Sequence, residues 1–351
     1  MGLLPPSRSR GSRRCWAAVL VAAPLVWLAA CGGGGGGGGG GGSVAPAPSG
    51  PGPSIAAPTG RLWHHNYALD FLDGTQIASA TGGPPMAVTP EAEAIPWPDG
   101  SQYVTAEWDL RTDRTAVRVH ATASGAVLHE AAVDQYFRAP RPAPHRKEWV
   151  LGRVSDSVTT AGVYAVIDLA ARRVLDQFPA DDAAVDWLPD GRYVHVTHDG
   201  RISIGTVGVA ARQAVGQLAL PRGLTVNEVW ADPQGRRLAL RLWSKSEAGT
   251  IDVSDLWVSD LDGRNAYRHT QTRMTNRARW SPDGRLIAFD VDTGSLCDFS
   301  GCVGHCELWY ADADAREVTA LPAAGDARQF RVRNRSGQER VLGCDLLGWT
   351  P

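Results

Sequence analysis

Trp280-Ser281-Pro282-Asp283-Gly284-Arg285-Leu286-Ile287-Ala288-Phe289 decides the fold, because the chain repeats it. Trp187-Leu188-Pro189-Asp190-Gly191-Arg192 is followed by Tyr193-Val194-His195-Val196. Trp230-Ala231-Asp232-Pro233-Gln234-Gly235-Arg236 is a looser copy, and Trp97-Pro98-Asp99-Gly100 is one residue short. Phe71-Leu72-Asp73-Gly74, ahead of Gln76-Ile77, reads as a degenerate copy. Self-similarity at spacings of about 40 to 50 residues marks a repeat architecture. Each copy ends one short strand, turns on Pro-Asp-Gly and opens a second: Pro presets φ, Asp accepts a local backbone hydrogen bond and Gly tolerates positive φ.

Around the clearest copy the pattern predicts strands at Arg277–Trp280, Arg285–Asp290, Glu307–Ala311 and Arg316–Leu321. Four antiparallel strands in about 45 residues make one propeller blade. The same plan opens with Ala94–Trp97, Val185–Trp187 and Asn227–Trp230. Between Trp97 and Trp187 lies room for one further unit, with strands at Glu148–Val154, Gly162–Leu169 and Arg173–Phe178. Its opening turn, near Pro140–Pro144, has lost the motif. Five full blades result. Tyr67–Ala80 supplies about half of another, and the C-terminal Arg328–Asn334 and Arg340–Trp349 supply two more strands. A blade cannot bury both faces alone, so the ring must close. The expectation is an all-β propeller of four-stranded blades, six if the chain ends share one blade and seven if they do not.

The Trp-x-Pro-Asp-Gly-Arg phrase closely resembles the TolB-type propeller repeat, also called the PD40 or WD40-like repeat. Leu256-Trp257-Val258-Ser259-Asp260-Leu261-Asp262-Gly263 resembles that family's third strand and turn. The resemblance covers most of residues 61–351 and is specific at Trp187–Val196 and Trp280–Phe289. It implies that Trp97, Asp99, Gly100, Trp187, Pro189, Asp190, Gly191, Trp230, Gly235, Trp280, Pro282, Asp283 and Gly284 turn strands and pack blades and are not a catalytic set. TolB itself carries an α/β domain ahead of its propeller, whereas a Gly/Pro tether stands here, so TolB's partners do not carry over.

The N-terminus reads as an address. Arg8, Arg10, Arg13 and Arg14 precede the apolar run Cys15–Ala30, whose 16 residues suit a signal peptide better than a membrane span. Leu28-Ala29-Ala30-Cys31 resembles the lipobox of bacterial lipoproteins, which implies lipidation of Cys31. Gly32–Gly42 is unbroken glycine and Val44–Thr59 is rich in Pro, Ala, Ser and Gly. No apolar face forms there, so residues 31–60 read as a flexible tether, its glycines alone spreading about 18 Å. The expected organisation is a signal peptide at 1–30, a lipidated tether at 31–60 and a propeller at 61–351. By the lipoprotein resemblance, Gly32 after the cysteine points to the outer membrane, facing the periplasm, and not to inner-membrane retention.

Without residues 1–30, which hold four arginines and no acid, 31 basic residues stand against 37 acidic ones. That balance argues against a nucleic-acid partner. Four body cysteines remain: Cys297, Cys302, Cys306 and Cys344. Outside the cytoplasm an even set favours disulfides, with three connectivities open. A zinc site from Cys297, Cys302, His305 and Cys306 is the sharper alternative, although its spacing departs from paired C-x2-C clusters. Adjacent His64-His65 cannot face one way on a strand, so they read as a solvated entry and not a metal pair. His195 and His198 read as rim or packing groups.

No G-x-S-x-G elbow, HExxH or P-loop occurs. The expectation is therefore a non-enzymatic binding scaffold, cofactor-free and metal-free, lipid-anchored in the cell envelope. It would dock an envelope protein or polymer through its channel or its rim loops, of which Leu242–Ser254 and Val291–His305 are longest. The alternatives are a propeller enzyme acting on a saccharide or peptide in the channel, and a ligand or metal sensor switched by the cysteine loop. The enzyme's mark would be His, Asp and Arg side chains from three or more blades in one deep pocket.

Overall fold

The computed structural model describes residues 55–65, 74–89, 93–155, 162–180, 183–245, 251–292, 296–298, 301–303, 306–319, 322, 326–333, 337–343 and 346–351. For 292, 296–298, 301–303 and 306 it describes the backbone alone. The expected signal peptide, Cys31, most of the expected tether and Cys344 lie outside the described residues. Among the described residues every regular element is a strand, and no helix is long and apolar enough to cross a membrane.

Six four-stranded antiparallel sheets form a six-bladed propeller. Blade 1 holds Ile95–Pro96, Gln102–Asp109, Arg114–Ala121 and Val127–Val133. Blade 2 holds Tyr136–Pro142, Trp149–Ser155, Val163–Asp168 and Arg173–Pro179. Blade 3 holds Ala183–Trp187, Tyr193–Thr197, Arg201–Gly205 and Gln213–Gln217. Blade 4 holds Thr225–Ala231, Arg237–Lys245, Ile251–Asp260 and Tyr267–Arg268. Blade 5 holds Ala278–Trp280, Leu286–Asp292, Cys306–Asp312 and Arg328–Gln329. Blade 6 joins the chain ends: Leu346–Thr350 is its first strand and Arg61–His65, Thr75–Ser79 and Met86–Thr89 complete it.

The sharing of one blade is as the repeat predicts, but its details differ. Three strands come from the N-terminal side and one from the C-terminal side. Arg328–Gln329 instead completes blade 5, pairing with Trp309 and Tyr310, while Arg331–Arg333 and Glu339–Val341 form a separate hairpin. Val318–Thr319, expected as blade 5's outer strand, pairs in parallel with Thr270–Gln271 on the link from blade 4. Gly74 does not follow a first strand; it precedes the third strand of blade 6, and residues 71–73 lie outside the described set.

The sixth motif is split across the termini. Trp349-Thr350-Pro351 ends the chain where Thr59-Gly60-Arg61-Leu62 begins the propeller, and Arg61 pairs with Thr350. Gly60 has φ of +90°, matching the turn glycines Gly100, Gly191, Gly235 and Gly284, whose φ values lie between +67° and +85°. The Trp349 indole donates to Thr59 O at 2.7 Å and the Trp63 indole to Thr350 Oγ1 at 3.1 Å. Chain closure therefore rests on a motif that the linear sequence cuts in two.

The core lies between blades. Val194, Val196 and Ile202 of blade 3 pack with Val226, Leu238 and Leu240 of blade 4. Trp230 and Leu256 of blade 4 pack with Trp280, Ile287 and Phe289 of blade 5. Every propeller joint thus buries the apolar alternation of two neighbouring sheets.

Candidate functional site: the axial cavity

The motif turns gather at one end of the ring, and each locks locally. Asp190 Oδ1 accepts the Arg192 amide at 3.0 Å, Asp283 Oδ1 the Arg285 amide at 3.1 Å and Asp99 Oδ1 the Ser101 amide at 3.1 Å. In the looser copy Asp232, ahead of the proline, takes this part, with the Arg236 and Arg237 amides at 2.6 and 3.0 Å. The turns also nest against one another: a methyl at Gly284 would strike Gln234 of blade 4, and one at Gly235 would stand 2.9 Å from Pro189 Cδ of blade 3. Pro282 sits half-buried in its turn. Indoles tie blades together: Trp187 donates to Arg141 O at 2.8 Å, Trp280 to Trp230 O at 3.1 Å and Trp97 to Ala143 O at 3.1 Å.

Under these turns the six first strands enclose a cavity of about 380 Å³. Its wall is apolar, with Trp97, Trp187, Trp230, Trp280 and Trp349 packed behind Pro96, Pro140, Pro142, Pro189 and Pro233. Its floor is charged, by side chains of four different blades: Arg141, Asp186, Glu228 and Arg279. Arg141 lies 3.1 Å from Asp186 and 3.9 Å from Glu228 and donates to Val229 O at 2.9 Å. Burial pulls the Arg141 pKa down, and the carboxylates of Asp186 and Glu228 more than reverse it, so it stays above its ordinary value. Asp186 also accepts the Ala231 amide at 2.9 Å, and Glu228 lies 3.7 Å from Arg241. Beyond the floor, on the side away from the turns, Arg277 stands 3.9 Å from Glu93.

Arg279 differs. Its Nε donates to Leu347 O at 3.0 Å and its Nη1 to Ala278 O at 2.7 Å. Burial, then the neighbouring Arg141 and Arg277 guanidiniums, lower its pKa to about 10. It therefore remains cationic at neutral pH.

None of these four floor residues stood out in the sequence. The available signal was a charge immediately before a motif tryptophan, as in Asp186-Trp187 and Arg279-Trp280. That position lines the cavity, whereas a second strand such as that of blade 5 is buried on both faces over residues 286–291. Among the described residues the cavity lining holds no histidine, cysteine or serine; Thr350 brings its hydroxyl, already bonded to the Trp63 indole. Of the enzyme's expected mark, the described lining brings together Asp and Arg from several blades.

His64 and His65 are not a solvated entry. Both lie within a strand and are buried, His64 completely, and burial followed by the charge of His65 lowers the His64 pKa to about 3. His195 is also a packed strand residue, edge-on to Phe178 at 6.2 Å. The rim loops are shorter than the sequence suggested. Arg237–Lys245 and Ile251–Asp260 extend their ladder through most of 242–254, from Leu242↔Asp255 outward to Lys245↔Ile251. Within 291–305, Leu296–Asp298 and Gly301–Val303 form a hairpin that sets Cys297 directly opposite Cys302. Cys306 begins the third strand of blade 5, opposite Asp292. Among the residues whose side chains are described no three His, Cys, Asp or Glu could hold a metal ion, and the zinc alternative lies outside them, since neither His305 nor the side chains of Cys297, Cys302 and Cys306 are described.

The sequence matches no protein-family model and no curated protein. Among solved structures it is similar to TolB from Acinetobacter baumannii, with 18% identity, a TM-score of 0.54, and 78% of this chain and 67% of that one covered. More distant likenesses include the Niastella koreensis GH74 enzyme, at 8% identity, TM-score 0.47, and 79% and 46% coverage. Kuenenia stuttgartiensis hydrazine synthase is similar at 14% identity, TM-score 0.44, and 68% coverage of each chain. Six four-stranded blades, motif turns gathered at one end and this likeness together give the chain a TolB-like β-propeller fold.

Proposed function

We propose that this chain is a non-enzymatic docking propeller of the cell envelope, tethered by a lipid on Cys31, that receives a segment of an envelope protein or polymer at the mouth of the axial cavity. One observation carries the reading: a preformed cavity with proline and tryptophan walls whose floor carboxylates are committed to guanidiniums. Such a site orients and holds a ligand but offers no free base or nucleophile. The leader and the Gly/Pro tether support the envelope placement. Two experiments test it. Intact mass of the membrane-extracted protein should show a diacyl adduct on Cys31. A photo-crosslinker at exposed Pro98 or Pro233 should trap one discrete envelope partner, absent when the crosslinker sits at Val127 on an outer strand. An unlipidated chain would remove the anchor, and equal crosslinking at both positions would remove the docking mouth.

The convergence of Arg141, Asp186, Glu228 and Arg279 from four blades favours one second reading, an enzyme acting on an acidic saccharide or peptide in the same cavity. Turnover of such a substrate that is lost in Asp186→Asn would establish it.

A further inference from the structure

We propose that Arg279 anchors an anion subsite in the axial cavity that receives a carboxylate group of the ligand; this deepens the docking reading and rests on it. The argument is one of charge pairing. Asp186 faces Arg141 at 3.1 Å, Glu228 lies between Arg141 and Arg241 at 3.9 and 3.7 Å, and Glu93 meets Arg277 at 3.9 Å. Asp232 is taken by two turn amides. Among the described residues every carboxylate lining the cavity thus has a partner, while Arg279 forms no ion pair and bonds only two backbone carbonyls. Those bonds fix the guanidinium by Nε and Nη1 and leave Nη2 without a hydrogen bond among the described residues.

A half-buried guanidinium with no carboxylate within ion-pair distance gains from an incoming carboxylate through charge-assisted hydrogen bonds. Apolar walls keep the local dielectric low and strengthen the pairing. Of the charges that act on Arg279, the Arg141 and Arg277 guanidiniums outweigh the Glu228 and Asp186 carboxylates, which favours an added anion there. The class of anion follows from the remaining charges. Asp186 and Glu228 share the floor, so a dianion such as phosphate meets repulsion that a singly charged carboxylate meets less. A cavity of about 380 Å³ admits a small acid or the last residue or two of a chain.

Calorimetry on the purified full chain tests this with four probes: propionate, N-acetyl-Ala-Ala, the C-terminal amide of that dipeptide, and inorganic phosphate. At least one carboxylate probe should bind in the millimolar range or tighter, with the amide and phosphate weaker. Binding of the dipeptide alone means that the carboxylate arrives on a chain end; binding of propionate as well means that a free small acid suffices. Arg279→Gln should weaken the binding by about tenfold or more, and Arg279→Lys by less. Glu228→Gln, which removes a like charge from the floor, should tighten it several-fold, a gain that a folding defect cannot mimic. The proposal is overturned if neither carboxylate binds at about 10 mM, if Arg279→Gln binds as the parent does, or if phosphate binds most tightly. If mouth crosslinking persists in Arg279→Gln while no carboxylate binds, the subsite is wrong and the docking reading stands.

Discussion

Replacing Trp349 by Ala tests whether the split sixth motif closes the ring. Trp349 is 6% exposed, stands edge-on to Phe330 at 5.4 Å and donates its indole N–H to Thr59 O at 2.7 Å. An indole removes roughly 200 Å² from water, and about 25 cal/mol per Å² makes that worth about 5 kcal/mol as an upper bound. The lost hydrogen bond adds about 1 kcal/mol, and partial collapse of the cavity takes some back. The expected loss is about 4 kcal/mol. Urea unfolding followed by circular dichroism should then show the midpoint falling by roughly 1–1.5 M, for a slope near 3 kcal/mol/M. Trp280→Ala, the same position in an uninterrupted motif, is the comparison, and its loss should be similar. A Trp349→Ala loss below about 1 kcal/mol, with Trp280→Ala still costly, would show that the termini are not a working sixth motif.

Three further outcomes follow from particular contacts. Asp255, wholly buried, accepts the Thr272 and Arg273 amides at 2.8 and 2.9 Å and the Arg268 guanidinium at 2.6 Å, pinning the link from blade 4 to blade 5. Asp255→Ala should cost about 3–5 kcal/mol in the same urea assay, since it strands buried donors. His269 is completely buried with Nδ1 donating to Ala315 O at 2.9 Å, and burial lowers its pKa to about 4. Its folded pKa is thus below the unfolded value, so its contribution is intact above about pH 6.5 and is lost as pH falls towards 4. That amounts to roughly 3 kcal/mol. Stability measured against pH should lose one proton's worth of slope in that window in His269→Gln, and an unchanged slope would refute the assignment. Cys297 and Cys302 are directly opposed in an antiparallel hairpin, a placement whose Cα spacing of about 4.5–5.5 Å suits a disulfide. Non-reducing peptide mapping should find them joined, and two free thiols there would refute it.

The repeat was legible because its cause is local. A Pro-Asp-Gly turn needs a preset φ, a short acceptor and a residue that tolerates positive φ, and these leave the same residues wherever they act, at Trp187–Arg192 as at Trp280–Arg285. Strand alternation is equally local, so blades 1, 3 and 4 were placed to within a few residues, but in blade 2, where the motif is lost, the first strand Tyr136–Pro142 was missed and its end read as a turn. Blade 5's outer strand was not, because Val318–Thr319 and Arg328–Gln329 are both short β-compatible runs, and only the partner each meets in space separates them.

What the sequence by itself determined is the all-β class and the blade as the unit of a closed ring, since period and turn chemistry act within a few residues; that the chain ends share the sixth blade was decided in space. Tertiary structure alone decided the sixth motif, whose halves, Trp349-Thr350-Pro351 and Thr59-Gly60-Arg61, lie at opposite ends of the propeller's sequence and meet only on closure. It alone decided the cavity floor as well. Arg141, Asp186, Glu228 and Arg279 come from separate blades about 45 residues apart, and their charges act on one another only because the ring aims six first strands at a common axis.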